Sequence, residues 1–210
     1  MADNYLEKKF EAYRNASVRR KSAISLSTLL KKNRSYRGYD KSCKVTEAQL
    51  RRIAEVNTLI PSARNRQALR FKIVTADSGA DIILGSIRLG GALPDLHLPL
   101  PGTEPEAFII ICSTIPEDKW IGVDTGISAQ SMLLKATEMG LGGICIGAFD
   151  KEHIKEAFAL PYEPVLILAI GKPAEKIELT HIHADEDHAY YRRDGIHYVP
   201  KLFIDDLLLK

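Results

Sequence analysis

The amino-acid sequence predicts an α+β domain, on three observations. Two apolar runs, "AFIIICST" over 107–114 and "PVLILAI" over 164–170, have the length and composition of strands buried on both faces. Between and around them lie segments with helix start and stop signals, above all Thr46 followed three residues later by Gln49, a capping-box pattern. The third observation is a long, nearly uncharged helical stretch from Val123 to Met139, which requires protein on most of its circumference.

Taken in order, residues 3 to 20 set Tyr5, Leu6, Phe10 and Tyr13 near helical spacing among charges, the pattern of an amphipathic arm over 1–24. A single domain then runs from 25 to 210. Ser25 to Lys32 reads as a short helix and "NRSYRGYD" over 33–40 as a polar connector. The helix capped by Thr46 is expected to continue to about Ile60, where Pro61 stops it. "PSARNRQALR" forms a loop leading into a strand over Phe71 to Thr75, and 79–89 reads as a helix. Three glycines and four prolines from Gly90 to Pro105 describe a long surface loop.

On the helix from Val123 to Met139 the charges Asp124, Lys135 and Glu138 fall within about 60° of one another at 100° per residue, so they share one narrow face. So apolar a helix is hard for a 210-residue monomer to surround, and a homodimer with this helix at its centre is expected. "GLGGICIG" ends the helix and enters a strand, "DKEHIKEAF" is a further helix, and the chain beyond Gly171 is polar, with no regular element assigned.

Composition removes several function classes. Lys and Arg number 29 against 27 Asp and Glu, a formal charge of +2 that supplies no field for nucleic acid or anionic lipid. Three cysteines without a CxxC spacing point to a reducing, cytoplasmic compartment. Charges throughout the first twenty residues leave no signal-peptide core, and no apolar run approaches the roughly 20 residues of a membrane span.

Few motifs carry chemistry on their own. A GxGxxG beginning at Gly140 would need glycine at 145, which is Cys145, and the cluster follows a helix where the dinucleotide fingerprint precedes one. It reads as a helix C-cap followed by close backbone packing. "HIHADEDH" places His181, His183 and His188 among carboxylates, yet lacks the apolar support that orients metal ligands, so no metal is expected. There is no GxSxG, and Cys112 and Cys145 sit in buried-strand patterns. Arg34, Ser35 and Arg37 form a basic turn able to hold a phosphate and a second anionic centre.

Four motifs in fixed order complete the picture: "RSYR" ahead of "VTEAQL"; "PSARNRQ", matching a Pro-Ser-x-x-Asn-x-Gln loop; "DTGISAQSMLLKATEMGLGGICIGAFD"; and "YVPK" near the C-terminus. On these the chain resembles the nitroreductase family of FMN-dependent oxidoreductases. The resemblance implies a central, mostly antiparallel β-sheet flanked by helices in an intertwined homodimer, with FMN sites between two chains. It assigns Arg34, Ser35 and Lys201 to the FMN phosphate, Arg37 to the pyrimidine edge of the flavin, Asn65 and Ser62 to the ring, and the backbone of Ile146, Gly147 and Ala148 to one ring face near N5. It implies NAD(P)H as co-substrate and small aromatic acceptors, nitroaromatics and quinones, with flavin N5 carrying the chemistry and no protein nucleophile.

Four departures stand out. Asn33 replaces a second Arg, Leu202 follows Lys201 where Arg is common, Leu69 replaces Trp, and Gly147 stands where some members have Glu. Loss of two guanidinium groups, at about 1.5–3 kcal/mol per charge-assisted bond, implies a looser hold on FMN. The same sequence is compatible with a flavin-sequestering protein of little turnover, or with a dedicated flavin-dependent reductase such as a dehalogenase.

Overall fold

The computed structural model describes residues 24–91, 96 and 98–209. The N-terminal arm expected over 1–24 therefore lies, except for Ile24, outside the described residues. The expected α+β architecture is present: a four-stranded sheet in the order β1-β2-β4-β3, every neighbouring pair antiparallel, with helices on both faces. The strands are β1 (Leu69–Val74), β2 (Ala107–Ser113), β3 (Gly142–Ile146) and β4 (Glu163–Gly171).

β2 and β4 are central because their apolar runs can be buried on both sides, and every residue of β2 is buried. Alternate side chains divide the core. Phe108 and Ile110 face a cluster with Ile83 of α3 (Ala80–Ser86) and Ile154 of α5 (Lys151–Ala157). Ile109 and Ile111 face the opposite cluster, with Leu50 and Ile53 of α2 (Glu47–Ala54) and Met132 and Ala136 of α4 (Lys119–Glu138). A short α1 (Leu26–Lys32), capped by Ser25, lies upstream.

Several expected boundaries move. Thr46 and Gln49 do form a capping box, but α2 ends at Ala54 and tightens into a 3-10 turn over Glu55–Thr58, short of Ile60. The β-branched and short polar residues of "EVNT" lose χ1 freedom or compete for backbone partners, so they tighten the last turn more readily than they extend the helix. α3 ends at Ser86, not at 89, because Ile87 and Arg88 are taken up by backbone pairing with the segment around Phe149. β1 begins at Leu69. α4 begins four residues earlier than Val123, at Lys119, since Asp118 accepts the Ile121 N–H and caps it.

The main correction concerns the polar C-terminal stretch. It builds a second sheet, β5 (Lys176–Ile182), β6 (Tyr191–Arg193) and β7 (Ile196–Leu202), followed by a single-turn α6 (Ile204–Leu207). β7 is its middle strand, parallel to β5 and antiparallel to β6. β6 and β7 are joined by Asp194 and Gly195, both left-handed at φ 51° and 75°, a two-residue turn of the Asp-Gly kind. No helix among the described residues is long and apolar enough to cross a membrane.

Candidate active site

The connector over 33–40 is pinned at three points. Ser35 forms a parallel bridge with Gly143, and the Tyr36 N–H donates to the Gly143 carbonyl at 3.2 Å. A Cβ on Gly142 would come within 2.6 Å of the Tyr36 ring, and one on Gly143 would run into the Ala169 carbonyl. Glycines 142 and 143 are thus required by the packing of the connector and the sheet. Gly140, at φ 79°, ends α4 in the left-handed conformation, as the C-cap reading expects. The cluster's last glycine differs: around Gly147 a Cβ would meet nothing within 4 Å.

The third pin is Glu175, a residue the sequence reading did not single out. Its Oε1 accepts the backbone N–H groups of Arg37 and Gly38, and its Oε2 pairs with Arg192 of β6. Arg37 is buried, 8% exposed, beneath the second sheet. Its guanidinium donates to the Ser35 carbonyl at 3.1 Å, lies 3.4 Å from His197 Nε2, and stacks 4.7 Å from the centre of the Tyr190 ring. Desolvation, with help from Arg37 and Arg192, holds the His197 imidazole below its ordinary pKa. The Nε atoms of Arg34, Arg37 and Arg192 and Nδ1 of His197 are buried without a hydrogen-bond partner. Four such nitrogens in one cationic neighbourhood suit an anionic or carbonyl-rich group.

Lys201 is exposed on β7, opposite His181 of β5. Ile146 is buried at the end of β3, while Gly147 and Ala148 are exposed just beyond it. Ala148 also borders an open cavity of about 720 Å³ between α3 and α5, which Asp81, Ser86, Arg88, Asp150 and His153 help to line.

Ser62 and Asn65 stand elsewhere, at the N-terminal end of α4. Their loop is held by the Ala63 N–H donating to Asp124 at 2.8 Å, the Gln67 N–H donating to Ser62 Oγ at 3.2 Å, and an Arg66–Asp118 ion pair at 3.2 Å. Arg64, Asn65 and Gln67 all adopt left-handed φ of 54°, 53° and 49°. Each costs about 1–2 kcal/mol for a side chain with a Cβ, so the loop is held in a shape its sequence does not favour.

Asp124 therefore corrects the expected charge face of α4. It shares an azimuth with Lys135 and Glu138, but the 62–67 loop buries it to 3% exposure, whereas Lys135 and Glu138 pair near the surface. The exposed stripe is instead Gly122, Val123, Gly126 and Gln130. Asn33 donates to Gln130 at 3.4 Å, on that stripe. Asp124 and Gln130 are six positions apart, hence about 9 Å along the helix and about 120° around it. In one chain the Arg34–Arg37 connector and the Ser62–Asn65 loop thus approach different faces of α4.

Other candidate chemistry is weak here. His183 pairs with Asp206 at 3.0 Å and packs tilted against Phe203, on which His181 stacks, so two histidines of "HIHADEDH" hold the segment after β7. Among the described residues no group of three or more His, Cys, Asp or Glu could hold a metal ion. Cys112 is buried as expected, and burial pushes its thiol up to about 11; Cys145, expected in a buried strand position, is instead exposed on β3.

Comparison with known proteins agrees with the fold. The Nitroreductase family model matches residues 95–172. YdgI of Bacillus subtilis (strain 168), a proposed NAD(P)H nitroreductase, is 26% identical over 200 residues, covering 78% of this chain and 91% of that protein. A nitroreductase family protein from Clostridium difficile 630 superposes with a TM-score of 0.57 at 25% identity, over 72% of this chain and 86% of that one. A proposed nitroreductase from Exiguobacterium sibiricum 255-15, solved in complex with FMN, gives a TM-score of 0.60 at 21% identity, over 74% and 91%. By the family model over 95–172, by the curated relative and by the shared fold, the chain is similar to nitroreductase family proteins.

Proposed function

We propose that this protein is an FMN-dependent NAD(P)H oxidoreductase acting on small aromatic acceptors, nitroaromatics and quinones, in the cytoplasm. The observation that carries this reading is the set of buried, unpartnered nitrogens on Arg34, Arg37, Arg192 and His197, within one connector and the sheet laid over it. Such a set costs stability unless a polar group meets it, and a flavin offers a phosphate and a carbonyl-edged pyrimidine. The open space beside Gly147 fits the same group, since nothing in the chain itself requires glycine there. The FMN complex of the Exiguobacterium protein supports it further.

In this reading Arg34, Ser35 and Lys201 bind the phosphate. Arg37, fixed by Glu175 and His197, holds positive charge at the edge where reduction places negative charge. Ile146, Gly147 and Ala148 present backbone to the ring, and the cavity beside Ala148 admits the acceptor. FMN, when bound, supplies the chemistry by taking a hydride from the nicotinamide at N5 and yielding two electrons to the acceptor.

Ser62 and Asn65 reach the ring from a second copy of the chain. Within one chain they approach α4 from another face than the connector does, and α4 bares a stripe of small and apolar residues, Gly122, Val123, Gly126 and the half-buried Ile127, against which a partner helix packs closely. The site is complete only in a homodimer.

The test is the visible spectrum of purified protein incubated with FMN. Flavin absorption should bleach on addition of NADH or NADPH and return when menadione or a nitrofuran is added. Colourless protein that takes up no FMN, or loaded protein that neither nucleotide bleaches, overturns the reading.

A further inference from the structure

The loop that carries Ser62 and Asn65 also carries two arginines to which the flavin reading gives no role. Arg64 and Arg66, with Ala63, Asp118 and Trp120, line a cleft of about 200 Å³ at the start of α4. Trp120 is 46% exposed, and the Lys119 ammonium sits 5.2 Å from the centre of its ring. Asp118 is already engaged, pairing with Arg66 and capping the helix through the Ile121 N–H. Arg64 makes no ion pair among the described residues and is exposed. Three cations against one carboxylate leave the cleft two positive charges in excess, beside an open indole face.

We propose that this cleft binds the 2′-phosphorylated adenosine end of NADPH, with the adenine on Trp120 and the 2′-phosphate between Arg64 and Arg66, and that the protein therefore prefers NADPH to NADH. A phosphomonoester carries about −1.5 to −2 charges at neutral pH, which matches the excess. Guanidinium groups meet it in bidentate fashion, and any purine has a face to lay on an indole. The same strained loop would hold the flavin with Asn65 and the far end of the nucleotide with Arg64, so one rigid segment sets the span between them. NADH, lacking the 2′-phosphate, leaves the two arginines in water.

This inference rests on the flavin reading for its role in turnover, but its binding step is tested apart from it. Trp120 is the only tryptophan in the chain, so its fluorescence reports on the cleft alone. Titration of the full chain with 2′,5′-ADP should give a saturable change at concentrations at least about tenfold lower than with 5′-AMP, and Arg64→Ala should abolish that difference while Arg64→Lys restores part of it. In turnover the ratio of kcat/KM for NADPH over NADH should be about tenfold and should collapse toward one in Arg64→Ala. Equal affinity for the two adenosine phosphates, no saturable change, or a ratio that Arg64→Ala leaves unmoved overturns the proposal. Protein that takes up no FMN yet discriminates 2′,5′-ADP would sink the flavin reading and uphold this one. Yellow protein that oxidises both nucleotides equally would do the reverse.

Discussion

The two sheets of this molecule are held together by different physics. In the four-stranded sheet, β2 and β4 are apolar on both faces and each side chain of β2 is buried between helices. In the three-stranded sheet most positions are partly buried or exposed, and the deepest side chain is a histidine, His197, packed beside Arg37 and Tyr190. The first sheet forms because apolar area leaves water. The second closes over a cationic connector through one carboxylate, Glu175, and a set of stacked rings. Stability resides in the first, and the second covers Arg37 and the unpartnered nitrogens around it.

Substitutions should separate the two. The largest effect is expected from Phe108→Ala in β2, a fully buried aromatic whose loss should cost about 3–5 kcal/mol of unfolding free energy by chemical denaturation. A cost near that of a surface change would remove β2 from the centre of the argument. Glu175→Ala should cost less, about 1.5–3 kcal/mol for its charged hydrogen bonds, and the loss should be local. Amide exchange should quicken over 191–202 while β2 stays protected, and uniform quickening across both sheets would refute the division.

A pH effect belongs to the second sheet only. His197 has its pKa held down in the folded chain, so the unfolded chain takes up its proton first. Its contribution is fully present above the unfolded value of about 6.5 and is lost as the pH falls through the depressed folded value. His197→Gln should flatten that part of the stability profile, measured by denaturant midpoint against pH. The smallest effect is expected from the ion pair of Lys155 with Glu163, at the start of β4, which is solvent-exposed on both sides. Lys155→Ala should change stability by no more than about 1 kcal/mol.

Legibility in the sequence follows the same line. β2, β4, α4, α5 and the Thr46 capping box could be read because burial and capping write local patterns: continuous apolar runs, sparse charge, a hydroxyl three residues before an amide. β5 to β7 could not, since their apolar positions are few and at most partly buried, and the alternation of Ile177 and Leu179 with Lys176 and Glu178 is too short to stand out. The one available signal was Asp194-Gly195 between "YYRR" and "IHYV", a hairpin turn with β-forming residues on both sides. Among the candidate site residues, Arg34, Ser35 and Arg37 stood out by charge and spacing, whereas Glu175, Arg192 and His197 look like ordinary surface residues until the second sheet is folded over Arg37.

By itself, then, the sequence determined an α+β domain, its central strands, its near-uncharged helix and the motifs that align it with a family. Local periodicity and composition suffice for each of these. Only the tertiary structure decided that Asp124 is buried under the 62–67 loop, that Arg37 lies beneath a second sheet, and that the connector and that loop meet different faces of α4. Those outcomes depend on which charged side chains fold onto which backbone donors far away in the chain, a pairing that no window of neighbouring residues encodes.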